Sequence, residues 1–247
     1  MIKRADLVTY CDDYLDIGIF KDYCPNGLQV EGKESIKKIV SGVTANQALI
    51  DAAIEQRADL LLVHHGFFWK GEEPLLTGIK KRRLKALLQN DMNLLAYHLP
   101  LDANKSLGNN VLLAKKLGIK PQQYFSTNEI ALLGIIKKQS GEEFRQYISE
   151  VLNREPLHIT ADSMISTVAL CTGAAQSYIN QAINLGVDAF ISGEVSENTW
   201  HIAKENNIHY FAAGHHATER YGVQALGEHL AAKFSLEHIF IDIDNLI

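Results

Sequence analysis

The segment "DLLLVHHG" at 59–66 returns 129 positions later as "DAFISGEV" at 188–195, embedded in the same order of predicted elements. In the first half "IKKIVSGVT" reads as a strand, "ANQALIDAAIEQR" as an amphipathic helix and "DLLLVHH" as a short apolar strand. A helix in the basic stretch "IKKRRLKALLQN", a strand in "MNLLAYHLP" and a helix through "NNVLLAKKLG" follow. After residue 165 come "STVALCTG", "AAQSYINQAINLG", "DAFISGE", "VSENTWHIAKENN", "IHYFAAGHH" and "ATERYGVQALGEHLAAKF", again strand and helix by turns. Asp59 meets Asp188 with no gap. Beyond a surplus of 12 residues in the first half, about the loop "FFWKGEEPLLTG", the offset becomes 117: "AYHLPLD" falls on "AGHHATE", His98 on His215 and Asp102 on Glu219. A repeat this long implies two related lobes, since solenoid units are far shorter.

The expected fold class is therefore α/β, with two related α/β lobes from an internal duplication, at 1–120 and 165–247. Residues 121–164 read as a small α+β insertion between them, a strand–helix–strand module suited to a lid or assembly surface. The 47% hydrophobic content supports buried cores, and a formal charge of −5 gives no general attraction to a phosphate backbone. No apolar run approaches the roughly 18 residues of a membrane span, and the N-terminal stretch has no apolar leader segment. Cys11, Cys24 and Cys171 match neither a disulfide framework nor a zinc ribbon, so reduced thiols in a cytoplasmic compartment are expected.

Three places end a predicted strand with metal-competent side chains: His64-His65, His98 with Asp102, and His215-His216 with Glu219. In open α/β sheets the ligand crevice lies outside the carboxyl ends of the strands. The strand "LLLVHH" is expected to end at its histidine pair, so that alternation no longer dictates where both imidazoles face. If a helix begins near Gly214, His215 and Glu219 stand at i and i+4 on one face. Imidazole and carboxylate donors suit Zn²⁺, Fe²⁺, Mn²⁺, Co²⁺ or Ni²⁺, and their number points to two divalent ions per chain, roughly 3.5–4 Å apart. Such a pair would generate a nucleophile from water at neutral pH. Glu194, at the repeat position of His65, is a candidate general acid or base, and His201 borders the expected pocket. The run Lys80 to Lys85 reads as a solvated helix face, and P-loop, dinucleotide-binding and serine-hydrolase signatures are missing.

"PNGLQVEG" at 25–32, "VHHGFFWKG" at 63–71, "YHLPLD" at 97–102, "ISGEVSE" at 191–197 and "GHHATER" at 214–220 together resemble the NIF-three-like family, whose members carry the label GTP cyclohydrolase I type 2 homologues, and most closely its bacterial YbgI branch. The resemblance implies two α/β lobes around a dinuclear metal centre in a toroidal homohexamer. It implies metal ligation by His64, His65, Asp102, His215 and Glu219, and so selects His215 over His216. His98 and Glu194 are then expected as proton carriers in catalysis, and Asn26, Gly27 and Gln29 as pocket wall. The function expected is a cytoplasmic metal-dependent hydrolase of a nucleotide or related heterocycle. The competing class is a non-catalytic, ring-shaped metal-binding scaffold or adaptor for a protein or DNA partner.

Overall fold

Leu60-Leu61-Leu62-Val63 has no polar face to show to water, and all four residues are fully buried. Runs of this kind form parallel strands covered on both sides. The computed structural model, which describes residues 1–247, carries such strands in each of two compact units. The first unit is Met1–Leu101 with Gly222–Asp244, and the second is Asp102–Tyr221 with Asn245–Ile247.

The first unit contains β1 (Ile2–Lys3), α1 (Arg4–Tyr14), β2 (Gly27–Val30), β3 (Ser35–Ile36), β4 (Lys38–Thr44), α2 (Gln47–Glu55), β5 (Leu60–His65), α3 (Gly78–Gln89) and β6 (Asn93–Ala96), joined by β13 (Glu237–Phe240) from the far end of the chain. Its sheet has the order β13-β4-β5-β6-β2, with β2 antiparallel at the edge and the other four parallel. β1 and β3 form a separate two-residue ribbon. Helices α2 and α3 supply the crossovers that parallel neighbours need. Asn46 caps α2 by accepting the Leu49 N–H at 2.8 Å, and Leu49, Ile50 and Ala53 form its buried side. Gly42 is needed where the sheet meets that helix, because a Cβ there would come within 2.6 Å of Leu49 Cδ2 and 2.9 Å of the Ile241 carbonyl.

The second unit contains α5 (Asn109–Lys116), β7 (Lys120–Phe125), β8 (Ala131–Gln139), α6 (Gly141–Leu152), β9 (Leu157–Ile159), β10 (Ile165–Cys171), α7 (Ile179–Asn184), β11 (Ala189–Ser192), α8 (Glu197–Glu205) and β12 (His209–Ala212). The unit boundaries fall inside α4 (Leu99–Ala103) and α9 (His215–Phe234). Its sheet has the order β7-β8-β10-β11-β12-β9, with β10, β11 and β12 parallel and β7, β8 and β9 antiparallel to their neighbours. Residues 121–164, expected as a module between the lobes, supply the flanks of this sheet. Phe144, Ile148 and Leu152 of α6 pack in one core with Leu132, Val168, Leu170, Ile191 and Phe211. Residues 102–120 join the second unit, and β13 carries part of the expected second lobe into the first.

Asp59 and Asp188 make the same kind of contact in the two units. The Oδ2 of Asp59 accepts the N–H groups of Lys37 and Lys38 at 2.9 and 3.1 Å. That of Asp188 accepts those of Ser166 and Thr167, both at 2.9 Å, so each aspartate holds the entry of the preceding strand from positions 129 apart. In the sheets Val63 pairs with Ala96 and Ser192 with Ala212. The offset there is 116, and the residue that restores 117 at His98 and His215 lies between β12 and α9, where Gly214 has φ +96°. Ala96 thus corresponds to Ala212, one position short of the expected match with Ala213.

Candidate functional site

In the first unit β5 runs through His64 and ends at His65, at the histidine pair where the sequence places the end of the strand. On one side Thr44 still pairs with His65, but pairing with β6 stops at Val63 and Ala96. The last two residues therefore have a strand partner only on the β4 side, and their rings converge to 4.6 Å between centroids. His98, just past β6, brings a third ring to 5.2 Å from His64 and 5.7 Å from His65. One nitrogen from each of the three lies within 4.8 Å of the others.

Each of these rings is anchored at Nδ1. His64, fully buried, donates from Nδ1 to the Tyr97 carbonyl at 2.8 Å, which leaves the Nε2 lone pair on the other side. His65 Nδ1 lies 3.2 Å from Thr44 Oγ1, and His98 Nδ1 lies 2.7 Å from Asp22 Oδ1. Asp22 is held below the usual carboxylate range: burial pushes it up, but the hydrogen bond and charge of His98, with Asn26 and the Tyr23 N–H, outweigh that. Asn26 Oδ1 accepts the His98 N–H at 2.7 Å, and Gln29 Oε1 accepts the Phe67 N–H at 2.7 Å just after the histidine pair. A Cβ on Gly66 would collide with Gln29, and one on Gly27 (φ +97°) would press on Asp12 Oδ1 at 3.2 Å. The stretch around Asn26, Gly27 and Gln29 thus clamps the two histidine segments. Neither Asp22 nor the Tyr97 carbonyl was foreseeable locally, since Asp22 is 76 residues from His98.

The second unit gathers Glu194, His215 and Glu219. Helix α9 starts at His215, so its first turn sets Glu219 one turn on, and His215 Nε2 meets Glu219 Oε2 at 2.9 Å. On its other side His215 Nδ1 meets Glu194 Oε1 at 2.7 Å. Burial alone would lower the imidazole pKa, but Glu219 and then Glu194 raise it to about 9. Gly173 (φ +67°) is the floor of this cluster: a Cβ there would collide with Glu219 Oε1 and lie 3.3 Å from His215 Nε2. Asp102 Oδ1 accepts from Asn109 Nδ2 at 2.8 Å and from Thr172 Oγ1 at 3.3 Å. The thiol of Cys171 is driven well up by burial and then by the charges of Asp102 and Glu219, which sets both acids beside that strand end. His216 differs from its neighbour, donating its backbone N–H to the Ile247 carbonyl at 3.0 Å. His201 is exposed on α8 and pairs with Glu197 at 3.2 Å.

The donor chemistry fits divalent cations in both units. Three imidazoles converge in the first, and in the second an imidazole faces the buried carboxylate of Glu219 and the half-buried one of Glu194. A second group in the first unit, Asp22, Cys24 and His98, fits less well, because both Asp22 oxygens already accept hydrogen bonds from His98, Tyr23, Asn26 and Leu99. No helix is long and apolar enough to cross a membrane.

A family model described as Duf34/NIF3 (NGG1p interacting factor 3) matches residues 2–246. Relatives named GTP cyclohydrolase 1 type 2 homolog include one from Pseudomonas aeruginosa, 54% identical over 99% of this chain and 98% of its own. Another, from Vibrio cholerae, is 56% identical over 99% of both chains. Among solved structures, one described as protein ybgI, of unknown function, superposes with a TM-score of 0.97 at 48% identity over the whole of both chains. A protein from Thermus thermophilus does so with a TM-score of 0.91 at 34% identity, again over the whole of both.

Proposed function

This chain belongs to the Duf34/NIF3 family, and from that premise we propose that it is a divalent-metal-dependent hydrolase acting on a nucleotide or related heterocycle. The proposed ligands of two ions per chain are His64, His65, Asp102, His215 and Glu219. The observation that carries the reading is the convergence of His64, His65 and His98 in the first unit, with nitrogens within 4.8 Å of one another and their Nδ1 atoms anchored elsewhere. Like donors packed this closely repel once protonated and gain by sharing a cation. When bound, divalent ions supply Lewis acidity, which polarises a carbonyl or phosphoryl oxygen and lowers the pKa of water.

The remaining roles fall to the chain's own groups. Glu194 holds the proton at His215 Nδ1 or takes it up, and His98 carries protons on the first unit's side. Support for the nucleotide class comes from the name of the relatives, GTP cyclohydrolase 1 type 2 homolog. Assembly as a toroidal homohexamer belongs to the same proposal and predicts a six-chain mass in sedimentation equilibrium. The cytoplasm is the proposed compartment, with three buried, unbridged cysteines in support.

The test is turnover. Metal-loaded protein and a His64→Ala, Glu219→Ala double variant are assayed against nucleoside triphosphates, cyclic phosphodiesters and single-stranded DNA. Hydrolysis of one class that falls by roughly 100-fold or more in the variant supports the reading. Equal background rates, with a macromolecular partner still bound, would instead favour a metal-bearing scaffold.

A further inference from the structure

We infer that Asp22 is a positioning residue that makes His98 a third nitrogen donor to metal beside His64 and His65. This rests on the metal-dependent reading above and adds to its ligand set a residue and the carboxylate behind it, in place of the proton-carrying role given to His98 there.

Asp22 has a side chain only 3% exposed, and each of its oxygens accepts from two donors. Oδ1 takes the His98 Nδ1–H at 2.7 Å and the Tyr23 N–H at 2.6 Å. Oδ2 takes Asn26 Nδ2 at 2.9 Å and the Leu99 N–H at 3.0 Å. An ionised carboxylate offers about four acceptor sites, and here all are filled by hydrogen-bond donors, so the group has no place for a proton. An acceptor that cannot donate forces the hydrogen of a neutral His98 onto Nδ1 and its lone pair onto Nε2. The main chain of His98 is fixed as well, by Asn26 Oδ1 on its N–H at 2.7 Å, and the edge of Trp69 flanks the ring at 5.0 Å. Ring, tautomer and backbone are thus set together, on the side of the first unit where the nitrogens of His64, His65 and His98 come within 4.8 Å of one another. His64 is built to the same plan, with the Tyr97 carbonyl in the place that Asp22 takes behind His98. A carboxylate behind an imidazole is the arrangement that fixes the orientation of metal-binding histidines and raises their basicity.

An amide in place of the carboxylate must turn its NH₂ towards two donors whichever way it flips. On the Oδ1 side the NH₂ of D22N faces the His98 Nδ1–H and displaces the ring or reverses its tautomer; on the Oδ2 side it faces Asn26 Nδ2 and the Leu99 N–H and displaces the backbone that carries His98. The experiment measures Zn²⁺ affinity of the full chain by competition with a chromophoric chelator, for wild type, D22N, H98Q, the D22N/H98Q double variant and H64A. Nitrogen-15 NMR of the imidazoles reports the His98 tautomer in the metal-free protein. The expected result is the Nδ1–H tautomer in wild type and Zn²⁺ affinity lower by roughly 10–100-fold in D22N. H98Q loses a similar factor, and the double variant loses no more than H98Q. H98Q keeps the backbone N–H groups of residues 98 and 99 on their partners, so it reports the loss of the ring in a folded protein even if D22N unfolds. Wild-type affinity in both D22N and H98Q, with Zn²⁺ lost in H64A, would overturn this inference and leave the metal reading standing. A wild-type chain that retains no Zn²⁺ would overturn both.

Discussion

At the scale of the residue, the aspartates that open the strands show how much one side chain can organise. Asp188 accepts from the N–H and Oγ of both Ser166 and Thr167, and it is held below its ordinary value of 3.8 because those hydrogen bonds outweigh the opposing effect of burial. Asp188→Asn places an amide hydrogen against these donors and is expected to cost roughly 1–2 kcal/mol, kept modest by partial exposure to water. The pH dependence has a definite sign. A depressed carboxyl stabilises the fold above its unfolded value and loses that contribution as pH falls through the lower folded value. Urea unfolding of wild type and variant should therefore show a constant gap near neutral pH that closes in acid below about pH 4. A gap that persists or widens in acid would show that the carboxylate is not what holds the strand entry.

At the scale of the element, α6 is the helix whose start is most fully specified by its own sequence. Ser140 Oγ accepts the Glu143 N–H at 3.2 Å, and Glu143 Oε2 reaches back to the Ser140 N–H at 2.8 Å. Ser140→Ala is expected to lower stability by about 1 kcal/mol, read as a fall in thermal midpoint with the far-ultraviolet spectrum unchanged at low temperature. Elements of this kind were legible because the signal lies within a few residues: apolar runs for β5 and β6, capping and amphipathic spacing for α6. The His215–Glu219 spacing was legible for the same reason, since one helical turn fixes it. What sequence could not show is what depends on distant pairing. The extra residue before α9 is decided by the sheet register, and the anchoring of His98 by Asp22. Residues 121–164 looked independent because strand–helix–strand patterns do not say whose sheet they will join.

At the scale of the whole molecule, neither unit is one continuous piece of chain. The second is nearly so, lacking only Asn245–Ile247 from 102–221, whereas the first needs β13 to complete its sheet beside β4. A fragment of residues 102–221 is therefore expected to unfold cooperatively on heating, and a fragment of residues 1–101 to show no sharp transition. Cooperative melting of the 1–101 fragment by circular dichroism would count against the importance of β13. The interleaving has a further consequence during synthesis on the ribosome. Because β13 begins at Glu237, the nested unit is almost wholly made while the enclosing one still lacks its edge strand. The first unit's sheet is therefore expected to complete after the second unit has been made, with the edge of β4 open to chance pairing until β13 emerges.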